Sequence, residues 1–342
     1  MGKPAPIFRG PEETYEADAC LPLVEAARGG RIRLEALVHG HYPGRRLPHG
    51  ALPGLKTAGF WDAEEDQNWG LPWHRNEGIE LTLLESGSLG FSVDDREYLL
   101  EAGNLTVTRP WQRHRVGKPN VDAGRLLWLI VDVGVRRPNQ AWKWPAWLVL
   151  SEADRDELTN ILRNSEQPVW RASGEIRRCF QGIAHIVESD HNGGQVSRLA
   201  VRLNELVLAF LDLLRQHDLR LDQSLSSSRR TVQLFLADLR SHLEHLALEW
   251  TVEEMARLCG LGVTQFVHHV RSLVNMTPMH YLNHCRLGLG ARMLREHPEK
   301  TVTEVALACG FGSSQYFATA FGARFGRTPR EFRRLGSSSP GE

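Results

Sequence analysis

His74, Asn76 and Glu80 crowd one short stretch of the chain. "WHRNEGIELTLLESG" sets them, with Gly87, in the spacing H-x-N-x3-E-x6-G, and "EAGNLTVTRPWQRH" adds Gly103, Arg109, Pro110, Trp111 and His114. Imidazole and carboxylate side chains can ligate a metal ion or hydrogen-bond a polar ligand. Of the ten tryptophans, nine lie at or before Trp170, and an aromatic face can stack on a sugar ring or an aromatic ligand. Trp73 and Trp111 flank the motif residues and are ligand contacts by position, with Arg109 as the partner for an anion or a hydroxyl. There is no nucleophile elbow, P-loop or GxGxxG fingerprint. The five cysteines, Cys20, Cys179, Cys259, Cys285 and Cys309, form no CxxC spacing, which argues against a zinc site or a disulfide framework. Binding is expected, not catalysis.

The elements that must position these residues follow from patterning. A chain of 342 residues exceeds the size at which one core stops growing, so two or three domains are expected. From Arg31 to about Val135 short runs such as "IRLEALVH", "IELTLLES", "NLTVTRP" and "RLLWLIVDV" alternate with Gly, Asp or Asn, the pattern of antiparallel strands closing into a sandwich or small barrel. After "WKWPAWLVL" helical periods take over, and Ser151 with Asp154 can cap the first helix. The longest apolar run, Leu126 to Val131, is far too short to cross a bilayer, and no secretory h-region opens the chain. A cytoplasmic location is expected.

Within the helical part Val196, Leu199, Leu203, Leu206, Phe210 and Leu213 recur at steps of three and four. Such a stripe is either one buried face of a bundle helix or a homodimer contact. "RLDQSLSSSRR", residues 220–230, reads as a Ser-rich hinge before the last domain. Lys and Arg outnumber Asp and Glu beyond it, while the chain as a whole has a formal charge of +0. That asymmetry suits a nucleic-acid partner for the last domain.

Three Thr-x-x-Glu pairs, Thr251/Glu254, Thr301/Glu304 and Thr328/Glu331, have the form of capping boxes at helix starts. The first two helices run to Cys-Gly, where Gly260 and Gly310 can supply a left-handed turn. A second helix follows each, and then Thr-Pro, at Thr277/Pro278 and Thr328/Pro329, opens a further helix. A short capped helix, a Gly turn and a second helix make a helix-turn-helix, here about 251–275 and 301–326. The helix between them, from Pro278 to about Glu296, would span roughly 28 Å at about 1.5 Å per residue. One DNA turn is about 34 Å, so two recognition helices on such a strut could enter successive major grooves.

Periodicity turns Phe266, Val270 and Leu273, and Phe317, Phe321 and Phe325, toward the core. The opposite faces carry Thr264, Val267, His268 and Arg271 in the first copy, and Ser313, Ser314, Gln315 and Thr319 in the second. Gln can read adenine, Thr can touch a thymine methyl, and Arg can read guanine or clamp phosphate. Arg324 and Arg327 are expected at phosphates.

Residues 229–335 resemble the DNA-binding domain of the AraC/XylS family of transcription regulators; "TVTEVALACGFGSSQYFATAFGARFGRTPREFRR" carries the likeness most strongly. The His74 and His114 stretches resemble the two cupin motifs, and a cupin-like sensor barrel is common at this position in that family. Cupin enzymes hold a metal with three His and a Glu. Here Asn76 replaces one His, which leaves His74, Glu80 and His114, a set of the kind that can bind iron. Family sensors keep the barrel and lose the metal, so neither metal nor cofactor is expected, and Trp73, His74, Asn76, Glu80, Arg109, Trp111 and His114 become effector contacts.

The resemblance thus implies a multidomain α+β protein. Residues 1–150 would form a cupin-like β-barrel, 151–228 a helical dimerisation and linker segment, 229–335 an all-α domain with two helix-turn-helix motifs, and 336–342 a disordered tail. Its partners would be promoter DNA, a small-molecule effector with a sugar or glycoside favoured, a second copy of the chain, and RNA polymerase; no membrane is expected. The competing readings are a metal-dependent cupin enzyme of iron oxygenase or isomerase type joined to a DNA-binding module, and a DNA-binding dimer that needs no effector.

Overall fold

The computed structural model describes residues 20–336 except Asp95 and His242. Most of the expected 336–342 tail lies outside the described residues. The chain divides into two compact units, with the boundary between Ser226 and Ser227.

The first unit begins with α1 (Leu21–Arg28), β1 (Arg33–Val38), the short β2 (Arg45–Arg46), β3 (Leu55–Ala63) and β4 (Leu71–His74). Next come β5 (Ile79–Val93), β6 (Arg96–Glu101), β7 (Asn104–Thr108), β8 (His114–Val116) and β9 (Gly124–Val131). It ends with α2 (Glu152–Asn164), β10 (Val169–Arg171), α3 (Gly174–Ser189) and α4 (Val196–Arg215). The main path of the sheet runs β10-β7-β5-β9-β3-β1-β2. The long β5 joins it to a second layer, since its first part pairs with β7 and β9 and its last part with β6 and β8. The turn between the two parts is at Gly87, with φ +87°, where a β carbon would stand 2.1 Å from the Ala123 carbonyl oxygen. Only glycine fits there.

Strand alternation then gives the central strands two destinations. Leu81, Leu83, Leu127, Leu129, Ala58 and Phe60 point outward and are buried under the helices. Trp61, Leu84, Leu126, Trp128 and Ile130 point into the barrel. α2 starts at Ser151, whose side chain accepts from the Asp154 N–H, and α3 at Ser173, which accepts from the Ile176 N–H.

Two expectations change here. The helical segment does not stand apart from the barrel, because Leu158 and Ile161 of α2, Ile176 and Phe180 of α3, and the α4 stripe share one core with the outer sheet face. That face is apolar and must be covered, and the α3–α4 pair covers it. The α4 stripe is therefore internal. Leu199, Leu203, Leu206, Phe210 and Leu213 are all buried within the chain, and Val196 is packed against the same core. They are not a surface seam for a second copy. The Ser-rich stretch holds the boundary between the two units, and just before that boundary Ser226 Oγ donates to Asn164 Oδ1 at 2.9 Å.

The second unit is helical: α5 (Ser228–Ser241), α6 (Leu243–Ala247), α7 (Val252–Leu258), α8 (Val263–Val274), α9 (Pro278–Glu296), α10 (Val302–Ala308), α11 (Ser314–Phe325) and α12 (Pro329–Gly336). All three capping boxes, at Thr251/Glu254, Thr301/Glu304 and Thr328/Glu331, form with both of their hydrogen bonds. Gly260 and Gly310 take φ of +66° and +81° and turn the chain from α7 into α8 and from α10 into α11. Phe266, Val270, Phe317 and Phe321 are fully buried, whereas Leu273 and Phe325 are half-buried. The 19-residue α9 is anchored by Arg286, which is buried and donates to the carbonyls of Leu246 at 2.8 Å and Leu248 at 2.6 Å.

Candidate ligand pocket and nucleic-acid interface

A small pocket opens inside the barrel. Apolar wall is supplied by Leu23, Pro43, Leu71, Val116, Leu126 and Ile130, and two tryptophans, Trp61 and Trp128, line it. The polar wall consists of Tyr42, Thr57, His74, Asn76, Glu80 and Thr82. Strand pairing explains this gathering: Glu80 of β5 lies opposite Thr108 of β7 and Ile130 of β9, and His74 of β4 lies opposite His114 of β8.

Most of the polar groups satisfy one another. Glu80 Oε2 lies 2.9 Å from His114 Nε2 and accepts from Asn76 Nδ2 at 3.0 Å and Thr108 Oγ1 at 3.3 Å. Burial opposes ionisation of Glu80, but the charges and hydrogen bonds of His114, His74 and Asn76 outweigh it and hold its pKa below the usual glutamate value. Tyr42 donates to Glu77 at 2.6 Å; burial first and Glu77 second push its pKa well above the usual tyrosine value. Trp128 donates to Thr57 at 3.1 Å.

His74, Glu80 and His114 lie side by side. His114 uses both ring nitrogens, Nε2 on Glu80 and Nδ1 on the Gln112 carbonyl at 2.9 Å. The His74 and His114 rings lie face to edge with centroids 4.2 Å apart, and His74 Nδ1 is 2.7 Å from the Pro72 carbonyl. Among the described residues no three His, Cys, Asp or Glu side chains converge as ligands.

In the helical unit α8 and α11 each have twelve residues and end in a left-handed cap, at Asn275 and Gly326. They differ at the start. α8 begins at Val263, three residues after Gly260, whereas α11 begins at Ser314, four residues after Gly310. Counted from the helix starts, Phe266 matches Phe317 and Val270 matches Phe321, all buried. The outward positions are then Thr264, Gln265, His268, Arg271 and Ser272 in α8, and Gln315, Tyr316, Thr319 and Ala323 in α11, all exposed.

Residues 64–131 match a family model described as a cupin domain, and residues 255–335 match one described as a helix-turn-helix domain. The chain thus joins a cupin domain to an AraC-type helix-turn-helix domain. It is similar to the HTH-type transcriptional activator RhaS of Salmonella heidelberg (strain SL476), with 26% identity over 295 residues that cover 85% of this chain and 94% of that protein. Among solved structures it is similar to an AraC-type transcriptional regulator from Chromobacterium violaceum, at 24% identity, 31% of this chain, 90% of that chain and a TM-score of 0.28. The fatty-acid-bound wild-type ToxT of Vibrio cholerae strain SCE256 is 11% identical, covers 83% of this chain and 96% of its own, and has a TM-score of 0.32.

The structure of this AraC-type regulator redistributes the residues singled out in its sequence. His74, Asn76 and Glu80 line the pocket, and His114 stands behind Glu80. Trp73 does not line it: the guanidinium carbons of Arg113 and Arg115 lie 4.1 and 5.1 Å from its ring centroid. Trp111 donates to the Val135 carbonyl at 2.8 Å, and Arg109 lines a separate crevice with Trp170 and Phe210. Tyr42, Trp61 and Trp128 take their places on the wall. Strand parity with Glu80 could have found Thr82, but Trp128 needs the β5–β9 register, which no local pattern gives.

On the DNA-binding unit Thr264, His268, Arg271, Gln315, Thr319 and Arg327 are exposed. Val267 is half-buried. Ser313 is the N-cap of α11 and accepts from the Tyr316 N–H at 3.2 Å, and Ser314 is half-buried. Arg324 turns back onto α9, where it donates to the His284 carbonyl and lies 2.9 Å from His284 Nε2. Gln265 and Tyr316 complete the outward faces, each one position before a buried phenylalanine, Phe266 and Phe317.

Proposed function

We propose that this AraC-type regulator binds promoter DNA through both helix-turn-helix motifs and that a small molecule in the barrel pocket sets its DNA occupancy. What carries the reading is the presence in one chain of a walled pocket around Glu80 and two second helices with polar outward faces. Thr264, Gln265, His268 and Arg271 would read one major groove, and Gln315, Tyr316 and Thr319 the next, with Arg327 on phosphate. A sugar or glycoside, the ligand class expected from the sequence, would set its apolar ring face on Trp61 or Trp128 and a hydroxyl on Glu80. The protein would act in the cytoplasm as a homodimer beside RNA polymerase, through a surface other than the α4 stripe, and without catalysing a reaction.

A ligand shifts such an equilibrium only through different affinity for the two states. The test is titration of the purified full chain against its own upstream DNA and a scrambled fragment, over a range of salt, with and without a ligand that raises its unfolding temperature. Selective, steeply salt-dependent binding that changes with ligand supports the reading. Selective binding indifferent to every pocket ligand would favour the effector-independent dimer, and no preference for upstream DNA would overturn the proposal.

A further inference from the structure

The carboxylate of Glu80 is used unevenly. His114, Asn76 and Thr108 all converge on Oε2. Among the described residues, no donor is found at Oε1. Around it the other polar wall groups are engaged with one another: Thr57 by Trp128, Thr82 by Thr106, and Asn76 by Glu80 and by Tyr42 at 3.5 Å. Among the described residues no lysine or arginine lines the pocket, His74 is the lining group whose charge acts on Glu80, and most of the wall is apolar.

An ionised carboxylate oxygen accepts hydrogen bonds and cannot donate one. Left beside an apolar ligand it would keep a desolvation cost, and beside a second carboxylate it would add like-charge repulsion where water is sparse. We propose that the pocket takes a compact ligand with an apolar face and a hydroxyl or ammonium donor directed at Glu80 Oε1, and that it discriminates against the carboxylate analogue of the same skeleton. This rests on the reading of the barrel as the effector site and narrows it. The shared chemistry is the donor beside an apolar face, which a glycoside, an alcohol or phenol, and an amine can all present.

The held-ionised state of Glu80 agrees with this, since its hydrogen bonds from His114 and Asn76 favour the charged form. The apolar remainder of the wall fixes how many donors the ligand can bring. Each further hydroxyl on the Leu126 and Ile130 side would lose its water without a partner.

The test uses matched probes on the full chain, with dissociation constants measured by calorimetry: benzyl alcohol, benzylamine and benzoate as one set, a methyl glucoside and its uronic acid as another. The donor member of at least one set should bind at least about tenfold more tightly than its carboxylate partner, the size expected for a hydrogen bond to a charged group. Which set responds separates a glycoside from an aromatic donor, and alcohol against amine separates hydroxyl from ammonium. In Glu80→Gln the preference should shrink to less than about threefold, because an amide is uncharged and can also donate. Equal or tighter binding of the carboxylates to the unsubstituted protein, or no binding in either set, overturns the proposal with no variant needed. Glu80→Asp, which keeps the charge, should retain the preference, and a Gln variant that keeps it too would also overturn the assignment. DNA occupancy is scored separately: probes that bind as stated and leave it unchanged would sink the regulatory reading and leave the ligand chemistry standing.

Discussion

Gly290 of α9 lies directly against the ring of Phe317 of α11. A β carbon at 290 would stand 2.8 Å from Phe317 Cε2 and 2.9 Å from Cζ, so the strut and the second outward-facing helix meet at a distance that only glycine allows. Phe317 is fully buried and is itself held by Phe311 and Phe321, with ring centroids 5.1 and 5.3 Å away. The ring cannot swing aside cheaply. Gly290→Ala should destabilise the helical unit by about 1–3 kcal/mol, the usual cost of overpacking a dense core. Denaturant unfolding checks the loss; DNA titration should show weakened binding, although residue 290 carries no side chain to touch DNA.

Arg286→Met should cost more. It removes the donor to two carbonyls, that of Leu246, which is buried, and that of Leu248, which is partly buried. An orphaned buried acceptor costs about 1–3 kcal/mol. Because Arg286 is spent inside the unit, the salt dependence of any DNA binding left should keep its slope.

The surface arginines should separate into two groups. Arg271→Ala and Arg327→Ala should each lower the salt slope of DNA binding by about one, as expected for a lost phosphate contact. Arg324→Ala should leave that slope nearly unchanged and lower thermal stability, since its guanidinium is already placed on His284. Measuring affinity across a salt series and unfolding in the same buffers distinguishes the two effects.

Leu203→Ala should destabilise the first unit by about 2–5 kcal/mol, the range for truncating a buried leucine. Leu203 is wholly buried in the core that α4 shares with the sheet. Sedimentation of the variant should show the oligomeric state of the unsubstituted protein for as long as it stays folded.

Acid should weaken the barrel through Glu80. Its folded pKa is depressed below the ordinary value of 4.5, so the stability it contributes is present above that value and is lost as pH falls through the lower folded value. The gap in unfolding temperature between the natural chain and Glu80→Gln should therefore close on going from neutral pH to below about pH 4. A gap that widened on acidification would mean that the carboxylate is stabilised in the opposite sense.

Local interactions carried much of this protein in plain view. A Thr-x-x-Glu box uses atoms three residues apart, so Thr251/Glu254 and Thr301/Glu304 could be read as helix starts from their spacing alone. Gly260 and Gly310 could be read as turns because the left-handed backbone favours glycine, and the buried phenylalanines of α11 because helical periodicity sorts the two faces. His74, Asn76 and Glu80 were found as a group because they sit on one strand end and the turn into the next.

The rest waited on contacts between residues far apart in sequence. A stripe such as Leu199 to Leu213 says that a face is covered but not by what, and here the outer sheet face covers it. Trp61 and Trp128 entered the pocket while Trp73 and Trp111 did not, because strand register and the closure of β5 at Gly87 decide which way each ring points. The one-residue difference between the two turns moved Tyr316 outward by the same logic, since a helix rotates about 100° per residue. The sequence by itself determined the capped helices, the paired turns and the alternating strands, all of them set by neighbours along the chain. Only the tertiary structure decided which side chains share a pocket, which cover a core and which face outward, because those depend on register and packing between distant segments.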